Sequence, residues 1–315
     1  MVIAVASGKG GTGKTTIAIN LALSLGNVHF LDCDVEEPNA HIFLKPEITH
    51  TEWVNIPVPK VNEDRCTYCG KCAEVCVYNA IAVIKEKVLL FSELCHGCGG
   101  CSLLCPEDAI EEINRPIGIL EKGKANSILF THGKLNLGEA LAVPLVRAVK
   151  RTSLEVNPNN NQATSNNELT PSPFPLPCGE RTEEREKRKF LDYQVTIIDV
   201  PPGTSCPVIE SVKKSNFCLL VTEPTPFGLN DLILAVETLK KLRIPFGVVI
   251  NRADVGDKKT DEYCEREKIP ILMRIPMDRD IAIAYSQGIP MIEVKPEYKK
   301  KFLDLYKKIE ELTGG

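Results

Sequence analysis

Gly8-Lys9-Gly10-Gly11-Thr12-Gly13-Lys14-Thr15-Thr16 decides how this chain is read. It fits the pattern G-x4-G-K-[ST] from Gly8 to Thr15. Glycines let backbone N–H groups approach phosphate oxygens with no Cβ in the way. Just before the loop, Val2–Ala6 is a short β-branched run that reads as a buried strand. Just after it, Ile17, Leu21, Ala22 and Leu25 recur at helical spacing within Thr15–Leu25, and Gly26 stops the helix. The helix start then aims its positive end at an anion. Lys14 is placed for the β- and γ-phosphates and Thr15 for Mg²⁺. Gly8, Gly10, Gly11, Thr12, Gly13, Lys14, Thr15 and Thr16 are the candidate nucleotide contacts. Val28–Leu31 reads as a second buried strand, so the chain opens as β–loop–α–β, the start of a parallel sheet.

Further along, the texture changes. Between about Pro59 and Arg115, cysteines, glycines and acids replace periodic apolar segments. Two runs share one spacing: Cys66-x2-Cys69-x2-Cys72-x3-Cys76 and Cys95-x2-Cys98-x2-Cys101-x3-Cys105-Pro106. Each supplies the four thiolates that an iron–sulfur cluster needs. Zinc sites instead pair two short Cys-x2–4-Cys units, which disfavours zinc. Ile81–Ile84 and Val88–Phe91 read as a short hairpin between the two halves.

The parallel pattern then resumes. Ser127–Phe130, Val195–Val200, Phe217–Thr222, Gly247–Ile250 and Ile271–Ile275 are expected strands. Gly138–Lys150, Leu229–Leu242, Arg279–Gln287 and Glu297–Leu312 are expected helices. Ser153–Lys189 is rich in asparagine, proline and charge, and reads as a flexible insert. The expected fold is therefore α/β: a doubly wound, mainly parallel sheet flanked by helices, with a small α+β domain inserted at 59–115. The sheet domain takes 1–58, 116–152 and 190–315.

Composition sets limits. The 315 residues allow one large or two moderate domains, and a net charge of −4 lacks the basic footprint of a nucleic-acid binder. Thirteen cysteines in cluster spacing do not describe a secreted disulfide scaffold. The apolar run Met1–Ala6 is too short for a signal peptide, and no stretch has the length to span a membrane. A cytoplasmic, oxygen-sensitive protein is expected. Tyr298, Phe302, Leu305, Ile309 and Leu312 share one helical face, read as packing on the sheet rather than as a membrane anchor.

Lys-Gly-Gly-Thr-Gly-Lys-Thr-Thr, with its additional Lys9, resembles the deviant Walker A loop of the MinD/ParA/Mrp ATPases and of the nitrogenase iron protein. The resemblance implies ATP, Mg²⁺ and a homodimer closed over the nucleotide, with Lys9 reaching the partner's phosphates. Leu31-Asp32-Cys33-Asp34 followed by Pro38-Asn39 resembles the first switch. That implies Asp34 orients the attacking water and Asp32 lies near Mg²⁺, although an aspartate there also serves as a helix cap. Ile197-Ile198-Asp199-Val200-Pro201-Pro202-Gly203 resembles the Walker B and second switch segment. Asp199 would hold Mg²⁺ through water and Gly203 would sense the γ-phosphate. Asn251-Arg252-Ala253-Asp254 resembles the base-reading segment, with Asn251 on adenine or, alternatively, forming a turn.

The cysteine segment resembles a bacterial two-[4Fe–4S] ferredoxin, in which the fourth cysteine of each run serves the other cluster. The resemblance implies one cluster on Cys66, Cys69, Cys72 and Cys105 and a second on Cys95, Cys98, Cys101 and Cys76. Val77 departs from that pattern, which has proline there. Cys33 and Cys218 read as buried core, Cys178 and Cys264 as isolated, and Cys206 lies just past the second switch. No Cys-x2-Cys occurs near the C-terminus, unlike Mrp-type cluster scaffolds. The expected function is ATP turnover coupled to electron transfer through the clusters or to metallocofactor maturation. The expected partner is a redox protein or a client apoprotein. The alternative is a MinD/ParA-like positioning ATPase whose clusters sense redox state.

Overall fold

In the computed structural model, which describes residues 1–156 and 193–314, the first apolar run forms the middle of a nine-stranded sheet. In chain order the elements begin with β1 (Val2–Ala6), α1 (Lys14–Leu25), β2 (Val28–Asp32), α2 (Ala40–Leu44) and β3 (Glu47–Val61). Next come α3 (Lys71–Val75), β4 (Ile81–Val83), β5 (Val88–Leu90), a 3-10 turn at Ser92–Leu94, α4 (Gly100–Leu103), β6 (Ile110–Ala125), β7 (Ile128–Leu135) and α5 (Ala142–Val156). The remainder is β8 (Val195–Asp199), α6 (Cys206–Val212), β9 (Phe217–Thr222), α7 (Pro226–Leu242), β10 (Phe246–Asn251) and α8 (Lys259–Arg266). It ends with β11 (Ile271–Ile275), α9 (Arg279–Ser286), α10 (Met291–Val294) and α11 (Glu297–Thr313).

The sheet order is β11-β10-β9-β1-β8-β2-β7-β6-β3. From β11 to β7 every neighbouring pair is parallel, while β6 and β3 add antiparallel at one edge. Parallel strands buried on both faces need continuous apolar runs, and β1, β2, β8 and β9 have them. One face packs Ile17 and Leu21 of α1 with Phe302, Leu305 and Ile309 of α11. The other packs Leu145 and Val149 of α5, Val212 of α6 and Val236 of α7. The apolar face of α11 is therefore committed to the core, with Leu312 alone of its expected set exposed.

Three differences from the sequence expectations have physical causes. Helix α5 begins at Ala142, not Gly138, because Gly138 takes a left-handed φ of 79° in a turn closed by the Glu139 N–H on the Asn136 carbonyl. The helix runs on to Val156, over the first residues of the expected insert, and the remainder of that insert lies outside the described residues.

The largest difference is a long two-stranded ribbon. β3 and β6 stay paired from Glu47↔Lys124 to Val61↔Ile110, so the expected domain boundaries near 58 and 116 fall inside continuous strands. The last β6–β7 pair is Gly118↔Leu135, beyond the Asp32↔His132 pair of β2 and β7. The ribbon thus projects past the strand ends that carry Asp32 and Asp199. Its far end bears residues 62–109, including both cysteine runs and the β4–β5 hairpin.

Candidate functional site

The phosphate-binding loop hangs between β1 and α1, and two of its glycines are required by backbone geometry. Gly11 and Gly13 have φ of 82° and 87°, a region that penalises any Cβ. A Cβ on Gly13 would also lie 2.5 Å from Asn251 Nδ2, and one on Gly8 would lie 2.3 Å from the Asp231 carbonyl oxygen. The loop faces a cavity of about 310 Å³ whose lining includes Lys9, Thr15, Thr16, Asp34, Asn251 and Tyr285.

At the cavity floor sits a charge cage. Lys14 Nζ donates to Asp199 Oδ1 at 3.0 Å and lies 3.6 Å from Asp34 Oδ2. Burial alone would lower the Lys14 pKa, but Asp199 and Asp34 outweigh it and the pKa is raised. Asp32 is fully buried beside Asp199 on the neighbouring strand. Burial first, and then Asp199, push it up to about 8. Burial also lifts Asp34 to about 6, against the pull of Lys14. Asp199 Oδ2 and Thr12 Oγ1 are buried with no hydrogen-bond partner among the described residues. Buried orphan oxygens of this kind call for a cation or another missing partner. Both fit a Mg²⁺–nucleotide complex.

Asp32 performs the capping role. Its Oδ1 accepts from the Asp34 N–H and its Oδ2 from the Ala40 N–H, each at 3.1 Å, which fixes the chain between β2 and α2. The Gly203 N–H donates to the Ser7 carbonyl at 3.0 Å, docking the segment after β8 onto the loop. Asn251 spends its amide on the same loop: Nδ2 donates to the Thr12 carbonyl at 2.9 Å and Oδ1 accepts from the Arg252 N–H. Lys9 is half-buried at the cavity rim. Sequence reasoning missed the opposite wall, where Pro276, Met277, Ile281 and Tyr285 face the loop. The Ile281–Tyr285 spacing on α9, one helical turn, was the available signal.

The structure groups the eight ribbon-borne cysteines as two crosswise sets. Cys66, Cys69, Cys72 and Cys105 line a small cavity of about 20 Å³. Cys76, Cys95, Cys98 and Cys101 line another of about 20 Å³. The Ala80 and Ala109 N–H groups donate to Cys76 Sγ and Cys105 Sγ at 3.2 and 3.3 Å. None of the described cysteines is in a disulfide. Among the described residues, no group of three or more His, Cys, Asp or Glu closes on a single-ion site. Four cysteines line each pocket, and four thiolates are the donor set that an iron–sulfur cluster needs. Of the remaining cysteines, Cys33, Cys218 and Cys264 are buried and Cys206 is exposed at the start of α6.

The loop, its buried carboxylates and the parallel sheet define a P-loop nucleotide-binding protein. The chain belongs to the CobQ/CobB/MinD/ParA nucleotide-binding family, whose domain model matches residues 3–291. Two uncharacterized proteins of Methanocaldococcus jannaschii are 30% and 28% identical to it, over 99% and 100% of this chain and 97% of each relative. An iron-sulfur cluster carrier protein of Pyrococcus horikoshii is 23% identical over 98% of this chain and 84% of its own length. Among solved structures, the septum site-determining protein MinD of P. horikoshii with Mg-ADP superposes with a TM-score of 0.53. It is 19% identical and covers 99% of this chain and 97% of its own, a likeness of fold.

Proposed function

We propose that this chain hydrolyses ATP and passes the resulting switch movement to two [4Fe–4S] clusters on a ferredoxin-like segment, driving electron transfer to a partner protein. The observation that carries this reading is the join between the switch and the ribbon. The Val35 carbonyl, one residue past Asp34, accepts the Leu135 N–H at 2.9 Å. Val35 also shares one buried cluster with Ile117, Ile56, Val58, Ala80 and Cys95. A displacement of Asp34 therefore reaches the cysteine segment through packed side chains with no flexible linker between. Close-packed interiors transmit such shifts.

In this reading Lys14 would leave Asp199 and Asp34 to hold the β- and γ-phosphates, and Thr15 and Asp199 would hold Mg²⁺. Asp34, once released, orients water for attack on the γ-phosphate. Gly203 senses that phosphate, and Lys9 reaches the nucleotide of a second copy in a closed homodimer. Asn251 stiffens the loop and keeps one amide hydrogen for the base. Cys66, Cys69, Cys72 and Cys105 hold one cluster, and Cys76, Cys95, Cys98 and Cys101 the other. When bound, the clusters supply one-electron transfer.

A second reading, ATP-dependent assistance in another protein's metallocentre assembly, draws on the printed name of the carrier relative. Redox titration of iron-loaded protein, followed by EPR, separates the two readings. It is run without nucleotide, with ADP and with a non-hydrolysable ATP analogue. A nucleotide-dependent potential supports gated electron transfer. Identical potentials in all three states, with cluster delivery to an apoprotein, would establish the second reading instead.

A further inference from the structure

The two cysteine sets have almost the same backbone. Tyr68 and Gly97, at matching places in the two runs, have φ of 55° and 63°; Gly70 and Gly99 have 80° and 74°; Asn79 and Asp108 have 52° and 46°. The N–H donors to Cys76 and Cys105 match as well. Most of the backbone around the two sets therefore matches, and the differences lie in side chains, in position and in one further contact, the Gly97 N–H on Cys95 Sγ.

Side chains and position differ in one direction. The Cys66 cavity is lined by Lys71 and Glu107, whose charges offset. In the second run Gly100 replaces Lys71, and Glu112 is the charged residue lining the Cys95 cavity. Ser102 Oγ donates to Glu112 Oε1 at 3.3 Å, and that oxygen is 3.1 Å from where a Gly99 Cβ would stand. The carboxylate is thus held against the loop that carries Cys98 and Cys101. Position adds to this. Pro57 and Pro59 line the Cys95 cavity, and Val61 and Ile110 at the ribbon's far end line the other. Cys95 is 8% exposed and joins the core cluster that contains Val35. Burial and a neighbouring anion both oppose adding an electron. The Gly97 N–H near Cys95 Sγ works the other way, but at 3.5 Å it is a long contact that a full charge outweighs.

Resting on the cluster reading above, we propose that the two centres are unequal. Glu112 holds the Cys76–Cys95–Cys98–Cys101 centre at the lower reduction potential, so one added electron rests on the outer Cys66–Cys69–Cys72–Cys105 centre. Glu112 is a positioning residue for charge and touches no sulfur as a ligand. A low-potential one-electron donor reduces the outer centre first. The electron is then stored at the end of the ribbon farthest from the nucleotide, where a docking acceptor meets it.

The test is EPR-monitored redox titration of the full iron-loaded chain, its iron content measured, as wild type, Glu112→Gln and Lys71→Gln. Cys98→Ala assigns the inner centre by removing it. The expected wild type shows two distinct potentials, the lower one absent in Cys98→Ala. Glu112→Gln raises the lower potential and leaves the higher in place; Lys71→Gln lowers the higher. A Cys98→Ala, Glu112→Gln double variant keeps the potential of Cys98→Ala alone. Equal wild-type potentials, loss of the higher one in Cys98→Ala, or a lower potential indifferent to Glu112→Gln would each overturn the inference while leaving two clusters standing. A chain that loads fewer than two clusters overturns the cluster reading itself, and this inference with it.

Discussion

At the residue scale, the cage around Lys14 serves both stability and nucleotide binding. Without a bound nucleotide, Lys14 is the cation facing Asp199 and Asp34 and acting on Asp32 behind them. Removing one partner of a buried ionic set costs ~3–5 kcal/mol, because the survivors stay buried and charged. Lys14→Ala should lose stability of that order at pH 7 in urea unfolding. The loss should shrink at pH 5, where the stranded carboxylates take up protons. Adding Asp34→Asn to Lys14→Ala should recover part of it, and a Lys14→Ala chain as stable as wild type would show that the cage contributes nothing. His29 gives a separate pH signature from inside β2. It is fully buried, with Nε2 3.0 Å from Thr131 Oγ1. Burial, and then Lys122, hold its pKa down at about 3. The unfolded chain takes up this proton near pH 6.5 and the folded chain does not. His29 therefore leaves stability level above pH 6.5 and lowers it by up to about 1.4 kcal/mol per unit as pH falls from there towards 3. His29→Gln, which keeps a polar group for Thr131, should flatten the acid limb of a stability–pH curve by that slope.

At the element scale, the ribbon base is where phosphate site and cysteine segment are tied. Arg115 of β6 is paired with Glu139 of the turn before α5, and Glu139 Oε1 also accepts the Leu141 N–H at 3.1 Å. Glu139→Ala removes an ion pair that is partly open to water, together with a backbone acceptor, at a cost of roughly 1–3 kcal/mol. Amides at 110–115, paired with β3 alone, should then exchange faster, while 118–124, paired on both sides, stay protected. Hydrogen exchange resolved by peptide reads this directly, and uniform protection across β6 would show that the base does not depend on the pair. The ribbon is also where the sequence was least legible. The buried parallel strands announce themselves by continuous apolar runs, and the loop by its glycines and lysines. β3 shows no such run: Glu47–Trp53 is exposed throughout, and Pro57 and Pro59 stand where a central strand would be interrupted. It is an edge strand held by one neighbour, and only Ile56, Val58 and Pro59 of it are buried, too few to give a continuous apolar run. The two cysteine runs were legible as runs because their spacing is local, but the distance between them and the phosphate site depended on pairing β3 with β6 across the whole segment. The tie between Asn251 and the loop at Thr12 was equally hidden, since the two positions are joined only in the folded sheet.

At the scale of the whole molecule, two bodies of very different self-sufficiency share one chain. The sheet and its helices bury two large apolar layers. Residues 62–109 bury few apolar side chains, among them Ala80, Ile81, Cys95 and Ala109, and their helices α3 and α4 have five and four residues. Helices so short do not hold themselves in water, and a segment this size with so small a core needs metal or another staple. On the proposed cluster reading, removing iron with a chelator under reducing conditions should therefore unfold 62–109 and leave the sheet intact. Limited proteolysis of the metal-free chain should cut first within that segment, and Mg-ADP should still raise the main thermal transition, since nucleotide binds the folded body alone. The iron-loaded chain should resist the same cuts. If metal-free 62–109 proved as resistant as the loaded form, the ribbon and the few buried side chains would be holding it unaided, and its cysteines would not be structural ligands. If the main transition collapsed with the iron, the two bodies would form one folding unit, and the packed path from Val35 to Cys95 would join their stabilities as well as their movements.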